Sequence, residues 1–215
     1  MPSSDNALRA RNLHFSFDGK PALRAVDLDL PWGSVTAIAG PNGAGKSTLI
    51  EILAGVRSAD QGQVERAGDL ALVVQRVAVP DSLPLTVQEV VAMGTWGRAA
   101  GGRRPTRFAA KERRARVEEA LDRVRMAEQA ALPFNALSGG QRQRTLLAQG
   151  IARRARIFLL DEPAAGLDPE SRERTRAMLA AEAGRGAAVA CVSHDHSHIA
   201  AADRVVTLRD GIRIS

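Results

Sequence analysis

The chain has no tyrosine, and aromatic residues account for only 3% of its 215 residues. That scarcity excludes an extended base-stacking surface of the kind that grips single-stranded nucleic acid. The net charge of +6 does not revive such a role. Nearly all the basic residues are arginine, with lysine only at Lys20, Lys46 and Lys111. Together with abundant alanine, this is the pattern a GC-rich genome produces without any binding function, so no nucleic-acid partner is expected.

Cysteine is almost absent. The single Cys191 rules out a disulfide within the chain, and its setting, Ala187-Ala188-Val189-Ala190-Cys191-Val192-Ser193, reads as a buried strand carrying a core thiol. No apolar run approaches the ~20 residues that a bilayer crossing requires. Met1-Pro2-Ser3-Ser4-Asp5 has neither the charge nor the apolar core of a secretory signal. A membrane role would therefore depend on partner chains. With 45% hydrophobic residues, the chain has enough apolar material for one domain, or a domain with a lobe.

Three stretches carry chemistry. Gly40-Pro41-Asn42-Gly43-Ala44-Gly45-Lys46-Ser47-Thr48 fits the G-x-x-x-x-G-K-[ST] phosphate loop. In that motif, glycines let successive N–H groups turn toward phosphate oxygens at the positive end of the next helix. Lys46 is expected to reach the β- and γ-phosphates, and Ser47 to ligate Mg²⁺. The second stretch is Leu137-Ser138-Gly139-Gly140-Gln141. Two adjacent glycines at a helix start weaken the helix and bury nothing, so they make sense where backbone N–H groups must approach an anion. The third, Ile157-Phe158-Leu159-Leu160-Asp161-Glu162-Pro163, is an apolar strand ending in two carboxylates. Together the three predict binding and hydrolysis of ATP.

With these motifs the chain resembles the ATP-binding cassette family along nearly its whole length. The resemblance implies an α/β fold of phosphate-loop NTPase type: a mixed central sheet, an N-terminal antiparallel β subdomain and an α-helical signature subdomain. The core is expected from 1–76 and 156–215, and the helical part from 77–155. It further implies a head-to-tail dimer in which Ser138, Gly139 and Gly140 contact the γ-phosphate of ATP bound on the partner copy.

The chain pattern agrees. Leu8 to Leu30 reads as two antiparallel strands joined at the turn-rich tetrad Asp18-Gly19-Lys20-Pro21. Val35 to Ala39 is a buried strand delivering the phosphate loop, and Thr48 to Val56 a helix ending near Gly55. Gly62 to Glu65 and Leu70 to Val74 are further strands. Helical periodicity runs through Thr86 to Met93 and Phe108 to Met126, with the solvated loop Gly101-Gly102-Arg103-Arg104-Pro105-Thr106-Arg107 between them. Gln141 to Arg154 and Pro169 to Ala183 are helices, the latter capped by Asp168 with Pro169 in its first turn. Ala187 to Ser193 closes the central sheet, and Val205 to Leu208 with Ile212 to Ile214 forms a hairpin about Asp210-Gly211.

The resemblance also distributes roles. Phe17, before the first turn, stands where the family places an aromatic ring against adenine; Phe15 is a neighbour with similar credentials, and a strand-end core role is the alternative for either. Gln75 would touch Mg²⁺ and the attacking water. Asp161 would hold Mg²⁺ with Ser47, and Glu162 would act as general base. Adjacent carboxylates on a strand point to opposite faces, so these two cannot share one task unless the strand has ended. Gly166-Leu167-Asp168 matches the dimer-contact loop, and His194 the histidine that meets the γ-phosphate. The spacing of His194, His196 and His198 also suggests a zinc site, but no fourth ligand is close and one histidine is already committed.

The segment from Gln75 to Gly94, with its Pro84-Leu85-Thr86-Val87 run and Met93-Gly94 end, looks like the zinc/manganese branch of bacterial metal-uptake cassettes. Iron-complex and cobalamin cassettes resemble it closely, and a non-transport cassette is the remaining alternative. The expectation is an ATPase at the cytoplasmic face of the membrane, beneath permease subunits fed by an external binding protein. ATP and Mg²⁺ are its expected ligands. ATP would favour the closed dimer, and hydrolysis would release it.

Overall fold

The computed structural model describes residues 5–73, 85–96 and 110–215. The first hairpin pairs β1 (Asn6–Phe17) with β2 (Lys20–Pro31). Its turn needs only Asp18 and Gly19, both at positive φ (47° and 78°), the conformation that tight hairpins demand. Lys20 and Pro21, expected in the turn, instead pair with Phe17 and Ser16. β4 (Gln61–Arg66) adds to the other edge of β1, giving the order β2-β1-β4.

The second sheet has six strands in the order β5 (Leu70–Val73), β6 (Ile157–Asp161), β7 (Ala188–Val192), β3 (Val35–Ala39), β8 (Arg204–Arg209) and β9 (Ile212–Arg213). All neighbours are parallel except the last pair. The strand around Cys191 does not close this sheet, as its sequence suggested, but lies inside it between β6 and β3. All five of its residues are buried, and an unbroken apolar run is what a strand covered on both faces requires. Burial pushes the Cys191 thiol up to about 11.

One core joins the two sheets through α1 (Lys46–Ala54): Leu13, Leu23 and Leu28 meet Leu49, Ile50 and Leu53 and one face of β6 and β7. The opposite face of the six-stranded sheet is covered by α2 (Val87–Met93), α3 (Ala110–Arg123), α4 (Gly139–Ala152) and α5 (Pro169–Gly184). Val91, Leu121, Met126, Leu147 and Leu179 pack there against Phe158, Leu160 and Val189. α3 is tied to α5 by Arg123, whose Nε donates to Glu182 Oε1 at 3.2 Å and whose Nη2 approaches Oε2. A short α6 (His196–Ala200) follows β7.

Candidate active site

β3 runs straight into the phosphate loop, and α1 begins at Lys46. Glycine is required at position 45 for two reasons. Gly45 has φ +94°, and a Cβ on it would stand 2.5 Å from the carbonyl oxygen of Ala22. Lys46 is only 6% exposed. Its ammonium folds back over the loop, donating to the carbonyls of Gly40 and Pro41 at 2.8 Å each.

Ser47 in the first turn of α1 donates through Oγ to Asp161 Oδ1 at 3.2 Å, joining the helix start to the carboxyl end of β6. Burial pushes the Asp161 carboxyl up. The Ser47 hydrogen bond and the Lys46 charge oppose that rise, and the Glu162 and Glu51 charges add to it. Burial thus makes the charged form of Asp161 costly unless a cation stands beside it. The next residue leaves the strand: Glu162 has φ +48°, an uncommon conformation for a residue with a full side chain. Strand alternation thus stops at Asp161, and the two carboxylates serve different neighbours. Glu162 Oε1 lies 3.2 Å from Nδ1 of His194, which stands beyond the end of the adjacent strand β7.

The Leu137 to Gln141 stretch has structural work that the sequence did not reveal. Ser138 is the N-cap of α4, its Oγ accepting from Gln141 N at 3.3 Å while Gln141 Oε1 accepts from Ser138 N at 2.9 Å. This reciprocal pair is a capping box. Leu137 is buried, and a Cβ on Gly140 would come within 2.8 Å of Ser171 Oγ. The expectation that the glycines bury nothing is therefore corrected: Gly140 sets the approach of α4 to α5. Gly139 faces Leu167 in the same contact. Among the described residues no hydrogen bond links this stretch to the phosphate loop of its own chain.

Gly166 is at φ +74°, and Asp168 caps α5 by accepting from Ser171 N at 2.9 Å. Hydrogen bonding from the Ser171 side chain, together with that from its N–H, holds the Asp168 carboxyl below its ordinary range. The two candidate rings separate clearly. Phe15 is in the core, whereas Phe17 is 43% exposed and meets Phe15 edge to face, with centroids 4.9 Å apart. Arg57, which sequence reasoning missed, sets its guanidinium 4.9 Å from the Phe17 ring and 2.7 Å from Glu51. Gln75 lies outside the described residues, as does Gly101 to Arg107. Among the described residues no three His, Cys, Asp or Glu side chains are grouped to hold a metal ion.

Arg172 was missed as well, since nothing in the sequence pairs it with residues 23 positions on. Its Nε donates to the carbonyl of Leu167 at 3.0 Å and its Nη1 to Asp195 Oδ2 at 3.1 Å. Together with Glu162 and His194 it lines a cavity of about 220 Å³.

A strand, phosphate loop and helix on a parallel sheet, with a serine and an aspartate meeting at its carboxyl end, define a phosphate-loop nucleoside triphosphatase. The ABC transporter family model matches residues 23–165, and the chain belongs to the ABC transporter family as one of its ATPases. It is 42% identical over 216 residues to the hemin import ATP-binding protein HmuV of Streptomyces coelicolor, covering 94% of this chain and 74% of that one. The zinc transport system ATP-binding protein TroB of Treponema pallidum is 36% identical, covering 94% and 78%. The solved dimeric structure of MJ0796, a bacterial ABC transporter cassette, superposes with a TM-score of 0.79 at 27% identity, covering 97% of each chain. Among the described residues no helix is long and apolar enough to cross a membrane.

Proposed function

We propose that this chain is the ATP-hydrolysing subunit of an importer that brings a metal, as a divalent ion or a chelate, through a separate membrane permease. The observation that carries the ATP-hydrolysing part of this reading is the pairing of two contacts at adjacent strand ends, Ser47 with Asp161 and Glu162 with His194, and similarity to import ATPases supports the rest. The first presents a hydroxyl and a carboxylate to one point, the oxygen donors that Mg²⁺ prefers. Asp161, raised by burial, favours a cation beside it. Mg²⁺ bound by Ser47, Asp161 and Gln75 would neutralise charge on the phosphates.

The loop from Gly40 to Thr48 cradles the phosphates through its N–H groups, and Lys46 turns from the Gly40 and Pro41 carbonyls to the β- and γ-oxygens. Glu162 takes a proton from the attacking water while His194 holds the γ-phosphate in line; the γ-phosphorus gains the water oxygen and ADP departs. Phe17 stacks on adenine. Ser138, Gly139, Gly140 and Gln141 meet the ATP of a second copy, with Gly166 to Asp168 at the seam. A dimeric relative of the same fold supports that pairing. The helices between 77 and 155 form the lobe facing the permease, and an extracytoplasmic binding protein supplies the cargo.

Two cargo readings rest on different observations. The Gln75 to Gly94 segment and the similarity to TroB support zinc, with manganese next. The higher identity to HmuV supports an iron chelate. Cells depending on the wild type or on Glu162→Gln, grown under metal limitation, separate the two. Loss of cell zinc or manganese in the variant supports the ion, and loss of hemin-dependent growth alone supports the chelate. Unchanged metal content and unchanged hemin use would overturn import and leave only the ATPase.

A further inference from the structure

We propose that Arg172 is a positioning residue for ATP hydrolysis, tying the loop after β6 to the loop after β7 and so setting the spacing of Glu162 and His194. The inference rests on the roles given above to those two residues. β6 and β7 are paired as far as Asp161 and Val192. Past that rung the sheet no longer holds the chains together. Among the described residues, two side-chain links join the loops beyond it: the 3.2 Å Glu162 to His194 contact and the bridge made by Arg172. All three residues line the same cavity of about 220 Å³.

The bridge is built for rigidity. Arg172 is the fourth residue of α5, so its side chain leans back over the helix start, where it reaches the Leu167 carbonyl. A cation this near a helix N-terminus opposes the macrodipole, and Asp195 compensates it. Asp195 is itself fixed, accepting from Ser197 N at 2.8 Å and Ser197 Oγ at 2.6 Å, while its own N–H donates to Ser193 Oγ at 3.1 Å. His194 therefore sits between a strand end and a clamped aspartate. Glu162 sits in a strained left-handed conformation, five residues before Leu167, which closes the Ala164 to Leu167 turn and whose carbonyl is held by the same guanidinium. A planar fork holds both partners at once, which a lysine ammonium on a flexible stem does not.

The Arg172 and Asp195 side chains are 41% and 25% exposed, and such pairs add little to stability. Loss of Arg172 should therefore appear in geometry and rate rather than in folding. The test is steady-state hydrolysis by the purified chain carrying Arg172→Ala, Arg172→Lys, Asp195→Asn, or Arg172→Ala with Asp195→Asn, beside Glu162→Gln and His194→Ala. Arg172→Ala should lower kcat about 10- to 100-fold, as small displacements of reacting groups do, with KM for ATP and the melting temperature unchanged. Arg172→Lys should recover part of the rate, and the double variant should be no slower than the slower single one. A kcat within twofold of wild type, a rise in KM alone, or single effects that multiply in the double variant would overturn the inference. Full turnover in both Glu162→Gln and His194→Ala would instead remove the site reading beneath it.

Discussion

Ser47 Oγ and Asp161 Oδ1, separated by 114 positions in the chain, meet at 3.2 Å where α1 begins and β6 ends. Removing the hydroxyl takes away one oxygen donor and one hydrogen bond to a charged group, about 1.5–3 kcal/mol. Ser47→Ala should therefore raise the Mg²⁺ concentration for half-maximal hydrolysis about 10- to 150-fold, measured by titrating Mg²⁺ at saturating ATP.

Phe17 offers its ring while Phe15 is buried. A base stacked on an aromatic ring contributes about 1–3 kcal/mol. Phe17→Ala should weaken ATP affinity about 5- to 150-fold, whereas Phe17→Tyr should keep it. Equal affinity in all three proteins, read by fluorescent-nucleotide displacement, would place the base elsewhere.

The buried Glu182 carboxylate depends chiefly on Arg123, with Arg185 farther off at 3.4 Å. Arg123→Ala leaves it without its main partner, so urea unfolding should show a loss of about 1.5–3 kcal/mol. Arg114, whose ion pair with Glu118 lies on the exposed side of the same helix, should be replaceable by alanine with almost no change in the urea midpoint.

How much of this was legible beforehand depends on the range of the interaction. The phosphate loop, the succession of strand, loop and helix about it and the Asp168 cap are local patterns, and the sequence carries them in consecutive residues. The role of Gly140 in helix packing was not readable, because Ser171 is brought to it only by the fold. The same holds for Arg172 with Asp195 and Arg57 with Phe17. The conflict over Asp161 and Glu162 could be posed from strand alternation, but its resolution is a backbone angle at Glu162, and a glutamate does not advertise positive φ.

Asp168 and Asp195 have carboxyls held below their ordinary range, Asp168 by hydrogen bonds from Ser171 and Asp195 by those from Ser197, with Arg172 adding to the latter. Both bind protons less readily folded than unfolded, where the value is about 3.9. Their stabilisation is therefore complete above that value and is lost as pH falls through the folded values. The urea midpoint should fall more steeply below about pH 4 in the wild type than in a protein carrying Asp168→Ala and Asp195→Ala. Parallel acid profiles would show that the caps do not contribute.

The central claim is that Glu162 removes the proton from the water that attacks ATP, and that ATP joins two copies of the chain. The most direct measurement is ATP turnover and molar mass, with and without Mg²⁺ and ATP, for wild type and Glu162→Gln. Loss of a general base lowers rates about 10²- to 10⁴-fold, so the variant should bind ATP, persist as an ATP-dependent dimer and turn over at least about a hundredfold more slowly. Undiminished hydrolysis, or a variant that binds ATP yet stays monomeric at saturating nucleotide, would contradict the account.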